Sequence, residues 1–220
     1  IRKLMSINLL KRLESSVYSF NLTLSRIKAL IDNTIDAIET FEKYGSDDLI
    51  MYEAGGSDWD MDDENTDFFT VGRKVKIELA DMDYRSWKAE LKQDREVLEL
   101  LTLMVADITP EHDKKLNELL EILTQKIENP INGDNKKVLV FTAFADTAEY
   151  LYENVSTFIK KKYGLDTAVI TGSIDGRTTV KGLKPTLNNV LTCFSPISKG
   201  RDILMPGSDI DLSILIATDC

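Results

Sequence analysis

The sequence predicts an α/β protein in which a partial parallel sheet with flanking helices follows a long helical segment. Two runs rich in apolar and β-branched residues, at 136–142 and 210–219, are typical of strands covered on both faces of a sheet. Residues 4–44 instead repeat apolar side chains at helical spacing. We therefore predict two domains, a helical protrusion at 1–130 that includes an acidic loop at 45–67, and a sheet domain at 131–220.

The helical segment opens with one long helix, predicted at 4–44 and ended by Gly45. Its apolar residues follow a heptad-like alternation with a polar member at Thr34: Leu13, Val17, Phe20, Leu24, Ile27, Ile31, Ile38 and Phe41. A second seam of the same kind follows Tyr84: Trp87, Leu91, Asp94, Leu98, Leu101 and Val105. We expect two long antiparallel helices plus a third, with Phe20 and Trp87 as core residues rather than ligand-stacking aromatics.

The third helix is predicted to begin at Thr109 and Pro110, a favourable N-cap and first-turn pair. One face of it is apolar: Leu116, Leu119, Leu120, Leu123 and Ile127. Residues 129–134 contain proline and glycine and are predicted to link this helix to the sheet domain. The single histidine, His112, is flanked by two acids and is expected to be solvated, and it forms no Ser/His or Cys/His nucleophile arrangement.

The formal net charge of −10 is concentrated in the acidic loop. Nine of the 37 acidic residues and none of the 27 basic residues lie between Gly45 and Asp67, so the rest of the chain is close to neutral. This density of like charge favours a flexible insert. Asp58, Asp60 and Asp62 match the first acidic positions of an EF-hand loop, but Asp63 and Phe69 stand where glycine and glutamate are required. No metal site is predicted.

Residues 75–79 alternate in polarity and predict a short extended segment.

The sheet domain is predicted to begin with a βαβ unit. Asp146 and Glu149 have the spacing of a capping box at the start of its helix, and three lysines at 160–162 with Gly164 are typical of its end. The next strand is predicted at 166–171, parallel to the first and joined to it by a right-handed connection. A basic loop at 172–184 and a helix at 186–194 follow, before the last strand.

Each of the three predicted strands ends in a threonine, namely Thr142, Thr171 and Thr218. Ligands of open parallel sheets bind outside the carboxyl ends of the strands. These hydroxyls, with the small Gly172 beside one of them, form a candidate site for a phosphate backbone. The alternative is that threonine ends these strands because its β-branched side chain tolerates a half-exposed position.

Four segments resemble those of superfamily 2 helicases, and they occur in the family's order over nearly the whole chain. Residues 137–151 resemble motif IV with its following helix, and Thr171, Gly172 and Ser173 with Arg177 resemble the next signature. Residues 209–219 resemble the start of motif V, and residues 9–16 are similar to a run typical of the bacterial Swi/Snf-like branch. The chain thus resembles a helical protrusion followed by the second RecA-like (helicase C-terminal) lobe of such an ATPase, truncated within motif V.

This resemblance implies a fragment of an ATP-dependent DNA or RNA translocase. In the family, the positions of Thr142, Thr171, Gly172 and Thr218 contact nucleic-acid phosphates. Asp219 would couple that contact to hydrolysis, and Lys11 and Arg12 would approach the duplex, although both could equally be solvated charges on a helix.

The resemblance also implies ATP and Mg²⁺ in the intact parent protein, where the upstream lobe supplies the P-loop. This chain contains no G-x-x-x-x-G-K-[ST] run. Alone it is expected to bind neither cofactor and to be inactive.

Two other functions stay open from the sequence. The long seams favour a non-enzymatic helical module that binds a protein partner, whereas a Rossmann-like enzyme is disfavoured because neither βα turn has a G-x-G-x-x-G run.

The two cysteines form no disulfide framework, and there is no signal peptide or membrane-length apolar run. We expect a cytoplasmic protein without a membrane partner. Its expected partners are nucleic acid, the upstream P-loop lobe, and possible protein contacts at the helical arm.

Overall fold

The computed structural model describes residues 2–45, 79–172 and 176–218, with side chains from Ser6 onward in the first range. These residues divide into two compact units, one of 2–45 and 79–108 and the other of 109–172 and 176–218. The acidic loop beyond Gly45, its EF-hand-like positions, nearly all of the extended segment predicted at 75–79, and Asp219 lie outside the described residues.

The first unit contains α1 (Arg2–Ser15), α2 (Val17–Tyr44), a 3₁₀ turn (Leu79–Asp81) and α3 (Tyr84–Val105). The prediction of one continuous helix over 4–44 is wrong, because the chain breaks at Ser16. Ser16 has an extended backbone (φ −158°, ψ 147°), and its hydroxyl accepts a hydrogen bond of 3.0 Å from the backbone N–H of Ser19. It therefore caps a new helix, as serine does at an N-cap. Gly45 ends α2 as predicted, in the left-handed conformation that favours glycine.

The predicted seams of α2 and α3 pack against each other. Five residues of α2 and one of α3 form a buried cluster: Phe20, Leu24, Ile27, Ile31, Ile35 and Leu98. Phe20 is confirmed as a core residue, whereas Trp87 is only half-buried and Leu13 is exposed. Ile35 lies in the cluster beside Thr34, whose hydroxyl bonds back to the Leu30 carbonyl. The polar interruption of the seam therefore leaves the core apolar.

Ion pairs along the two helices fix an antiparallel register. Early α2 residues pair with late α3 residues and late with early: Lys28 with Glu99, Asp32 with Arg95, Glu39 with Lys88 and Lys92, and Glu42 with Lys88. Lys88 is the most enclosed of these side chains, at 2.8 Å from Glu42 and 3.1 Å from Glu39. The predicted antiparallel pair of long helices is thus confirmed.

The second unit contains four strands and five helices among its described residues. The strands are β1 (Val138–Thr142), β2 (Thr167–Ile170), β3 (Arg177–Thr178) and β4 (Ile214–Thr218). The helices are α4 (Lys114–Glu128), α5 (Ala145–Tyr163), α6 (Leu187–Phe194), α7 (Pro196–Lys199) and α8 (Arg201–Leu204). The sheet order is β1-β4-β2-β3, with β1, β4 and β2 parallel and β3 antiparallel. The predicted mixed α/β class and mostly parallel sheet are confirmed, but β1 and β2 are not neighbours, because β4 lies between them.

Helices cover both faces of this sheet. On one face, α4 and α5 pack against Val169, Ile214 and Ile216, with Leu123, Val155 and Ile159 fully or almost fully buried. On the other, α6 packs its Val190 and Cys193 against Ala168, Ile170 and Leu215. The predicted division at residue 130 grouped α4 with the helical segment, whereas its apolar face packs in the core of the sheet unit.

The helix starts differ from the sequence predictions more than the helix ends do. Asp113, not Thr109, caps α4, and it accepts hydrogen bonds from the backbone N–H groups of Lys115 and Leu116. The capping box at Asp146 and Glu149 is also wrong, because the N-cap of α5 is two residues earlier, at Phe144, whose side chain makes no capping hydrogen bond.

Two helix ends and one helix start in this unit agree with the sequence predictions. Gly164 ends α5 with φ 70°, behind three lysines in the last turn, and Thr186 caps α6 by accepting from the Asn189 N–H. Ser195 ends α6 as predicted. Among the described residues, no helix combines the length and apolar character needed to cross a membrane.

Candidate nucleic-acid interface

The three threonines of the candidate site end three adjacent strands at one edge of the sheet. Thr142 of β1 and Thr218 of β4 are register partners. Ile170, the last residue of β2, is the partner of Ala217, so Thr171 follows β2 at the level of Thr218. Because the three strands are parallel, these threonines lie in the order Thr142, Thr218, Thr171 along the carboxyl edge.

The exposure of these residues divides the site into an inner and an outer part. Thr218 and Thr171 are buried, with 3% and 9% of their surface exposed. Thr142 is half-buried, and Ala143 and Gly172 are exposed. Thr142 and Gly172 are therefore the members of the candidate site that solvent reaches, whereas Thr171 and Thr218 are enclosed by the surrounding chain.

Helix α5 begins at this same edge, because Ala145 follows β1 after only Ala143 and Phe144. The amino end of a helix has a partial positive charge and favours anions. Asp146, in the first turn, is buried and places a carboxylate at that end, which is a favourable position for a negative side chain.

Helix α6 begins at the carboxyl edge as well, on the opposite face of the sheet. A Cβ atom built on Gly176 would clash with the Pro185 carbonyl oxygen and lie 2.6 Å from Cδ1 of Ile170, so Pro185 lies beside the end of β2. At the other end of α6, the Cys193 carbonyl accepts a hydrogen bond of 3.2 Å from Leu212, just before β4. The helix therefore runs from the carboxyl edge to the amino edge.

This placement brings the α6 N-cap, Thr186, and the exposed Lys184 towards the threonine row. The sequence predicts a basic loop and a helix at these two residues, but not their position at this edge of the sheet. The alternation of strands and helices along the sequence could have predicted this position. A helix that packs antiparallel to neighbouring parallel strands must begin near the carboxyl ends of those strands.

Arg177, which belongs to the second signature of the resemblance, is engaged with α5. Its Nη1 lies 2.5 Å from Glu149 and 3.4 Å from Glu153, and its guanidinium lies 4.8 Å from the centre of the Tyr152 ring. Partial burial acts to lower the pKa of Arg177, but the hydrogen bonds with the two glutamates outweigh it and raise the pKa above its ordinary value. In this conformation Arg177 joins β3 to α5.

The two basic residues predicted to approach a duplex belong to the first unit and differ in exposure. Lys11 is exposed on α1. Arg12 is buried, with 2% of its surface exposed, and its Nη1 lies 3.3 Å from the Ser19 hydroxyl. The prediction for Arg12 is corrected on this point, because its charge is enclosed within the first unit rather than presented to solvent. Asp219, the predicted coupling residue, lies outside the described residues.

In the described parts of both units, no three His, Cys, Asp or Glu side chains are grouped so as to hold a metal ion. Comparison of the chain with protein-family models, with curated proteins and with solved structures found no match. The helicase-like assignment therefore depends on the motifs and on the geometry of the carboxyl edge.

Proposed function

We propose that the carboxyl edge of the sheet binds the phosphate backbone of a nucleic acid, and that the chain supplies the second motor lobe of an ATP-dependent DNA or RNA translocase. The observation that carries the proposal is the row of Thr142, Thr218 and Thr171 on three adjacent parallel strands. The resemblance to the helicase C-terminal lobe of Swi/Snf-like ATPases supports the same function for these positions.

The chemistry of the edge suits phosphate better than it suits bases. Threonine hydroxyls and backbone N–H groups donate to phosphate oxygens, glycine lets the ligand backbone approach closely, and the amino end of α6 favours negative charge. None of these groups reads a base edge, so binding is expected to be independent of sequence and sensitive to salt. Weak contacts of this kind suit a protein that must release each phosphate in order to advance.

ATP and Mg²⁺ belong, in this proposal, to the intact parent protein. The chain contains no P-loop run, so the proposal places no triphosphate site at the carboxyl edge. We assign no step of ATP hydrolysis to residues of this chain.

The direct test is binding of fluorescently labelled single-stranded and duplex DNA and RNA, followed by anisotropy over a range of salt concentrations. Thr142→Val removes a hydroxyl at nearly constant shape and is expected to weaken binding by about three- to tenfold, the equivalent of one typical hydrogen bond. The matched control is Thr157→Val, which removes an exposed hydroxyl three turns along α5.

Equal affinity of Thr142→Val and Thr157→Val for every nucleic acid would remove the threonine edge from the binding site. Absence of salt-sensitive binding by the wild-type chain would refute nucleic-acid binding by this unit.

The alternative function, a helical module that binds a protein partner, was motivated by the long seams of α2 and α3. Those seams are buried against each other within the first unit, so they are not the surface that a partner would meet. A different face of α3 is exposed to solvent.

A further inference from the structure

Helix α3 exposes a second apolar face besides its buried seam. Val97, Leu100, Leu103 and Met104 are 56%, 59%, 71% and 70% exposed, and we call these four residues the α3 stripe. Val97, Leu100 and Met104 have the i, i+3, i+7 spacing of one helical face, with Leu103 beside them. The seam residues Leu98, Leu101 and Val105 interleave with them in sequence but pack against α2.

The outer face of a surface helix is normally polar, and scattered apolar residues there need no explanation. Four large apolar side chains within about two turns form a contiguous patch, which is typical of a surface that another molecule covers. The stripe lies on a well-formed helix of 22 residues, so it presents its side chains at fixed spacing.

The charges of α3 are sorted between its two sides. Lys88, Lys92 and Arg95 form ion pairs with acids of α2. Among the described residues of α2 and α3, the acid of α3 that forms an ion pair with α2 is Glu99, which pairs with Lys28. Three other acids of α3 are exposed and form no ion pair with α2, namely Glu90, Asp94 and Glu96.

These three acids border the stripe. Glu90 precedes Val97 by seven residues and Glu96 precedes Leu100 by four, and each of these spacings places two side chains on the same side of a helix. Asp94 precedes Val97 by three and the seam residue Leu98 by four, so it lies between the stripe and the seam. The exposed base Arg85 stands in the first turn of α3, more than three turns before Val97. The stripe is therefore an apolar surface with an acidic border.

We propose that the α3 stripe docks an amphipathic helix of a partner protein whose apolar face is flanked by lysine or arginine. Laying the apolar face of one helix along an apolar surface is a recurrent mode of recognition, with anchors at i, i+3, i+4 and i+7. The acidic border selects the charge of the partner and favours its approach. The stripe spans about 10 Å from Val97 to Met104, which matches about two turns of the partner helix.

The test uses the full chain and two labelled synthetic peptides. Both peptides carry leucines at i, i+3, i+4 and i+7 spacing, one with lysines and the other with glutamates on the flanks. We expect the lysine peptide to bind more tightly, and its binding to weaken as salt is raised. The double variant Leu100→Glu/Met104→Glu should weaken that binding at least about tenfold, while Ile131→Glu, at a still more exposed apolar residue of the other unit, should leave it unchanged.

Charge reversal isolates the role of the border. Glu90→Lys/Glu96→Lys should reverse the preference between the two peptides without removing an apolar contact. These variants leave the carboxyl edge intact, so the nucleic-acid affinity of each variant shows separately whether the proposed nucleic-acid binding holds.

Three results would overturn the proposal. Peptide binding that Leu100→Glu/Met104→Glu does not weaken would exclude the stripe, and equal affinity for both peptides would exclude charge selection. A wild-type chain that dimerises in light scattering, and becomes monomeric in the same double variant, would make a second copy of the chain the occupant instead of a basic helix.

Discussion

Asp113 stabilises two helices of the sheet unit through one carboxylate. Its Oδ1 accepts hydrogen bonds of 3.0 Å from the Lys115 and Leu116 N–H groups at the start of α4, and its Oδ2 accepts one of 2.9 Å from the Tyr150 hydroxyl on α5. Asp113 and Tyr150 are both buried, with 8% and 7% of their surface exposed. Loss of an N-cap costs about 1 kcal/mol, and loss of a hydrogen bond to a charged group costs about 1.5–3 kcal/mol. Asp113→Ala is therefore expected to lower the free energy of unfolding by about 2–4 kcal/mol.

A double-mutant cycle separates the two contributions. Tyr150→Phe removes the bond between the helices and leaves the cap of α4, so its coupling with Asp113→Ala should be about 1.5–3 kcal/mol in urea unfolding followed by circular dichroism. Tyr163→Phe is the matched control, because Tyr163 donates to Glu128 between the same two helices at an exposed position, and it should destabilise the protein less. A coupling within about 0.3 kcal/mol of zero would refute the assignment of Asp113 as a link between α4 and α5.

Two further predictions concern the same unit. Gly176→Ala should destabilise it by about 2–3 kcal/mol in urea unfolding, because the added Cβ would clash with the Pro185 carbonyl oxygen. The control is Gly133→Ala, where a Cβ meets nothing within 4 Å, so this substitution should cost only the strain of its positive φ. Equal losses of unfolding free energy in the two variants would contradict this reasoning. Burial and the hydrogen bond to Asp113 raise the pKa of Tyr150. The contribution of Tyr150 to the free energy of unfolding should therefore be fully present below the pKa of an unfolded tyrosine, about 10, and should decline as the pH rises above that value. The decline should be shallower in Tyr150→Phe, and identical alkaline slopes would count against it.

The sequence was sufficient where a local signal had no competitor. A local signal determines the end of α5, where Gly164 follows three lysines, and the start of α6, where Thr186 stands. The apolar spacing of α2 likewise determines which of its faces is buried. Where two local signals competed, the prediction failed. Ser16 lies within a good helical run yet supplies a side-chain oxygen to Ser19, and Asp113 caps α4 four residues after a plausible Thr109.

Longer-range features had no local signal at all. The apolar face of α4 was recognised, but an apolar face does not identify the surface that covers it. Glu149 fits a capping box by spacing, yet its carboxylate pairs with Arg177, which lies in another element. Strand β3 has only two residues, too few for any periodicity to appear.

The candidate site shows the same division. Thr142, Thr171 and Thr218 could be found because strand ends are visible in the sequence, and parallel strands share a carboxyl edge. Their different burial could not be found, since it depends on the chain around them. Arg12 illustrates the limit most clearly: a basic residue in a basic run is usually solvated, but the break at Ser16 brings it against Ser19.

The position of β4 at the centre of the sheet has a consequence for how the unit folds. β1 and β2 pair with β4 and not with each other, although β4 follows both of them in the chain after several helices. During synthesis, both strands emerge from the ribosome long before the strand that joins them, and contacts so distant in sequence form slowly. We expect α4 and α5 to collapse first into a helical intermediate with exposed strand edges. Insertion of β4 then completes the sheet and aligns the threonine row in a single step, so only chains that have finished folding would present the three threonines at one edge.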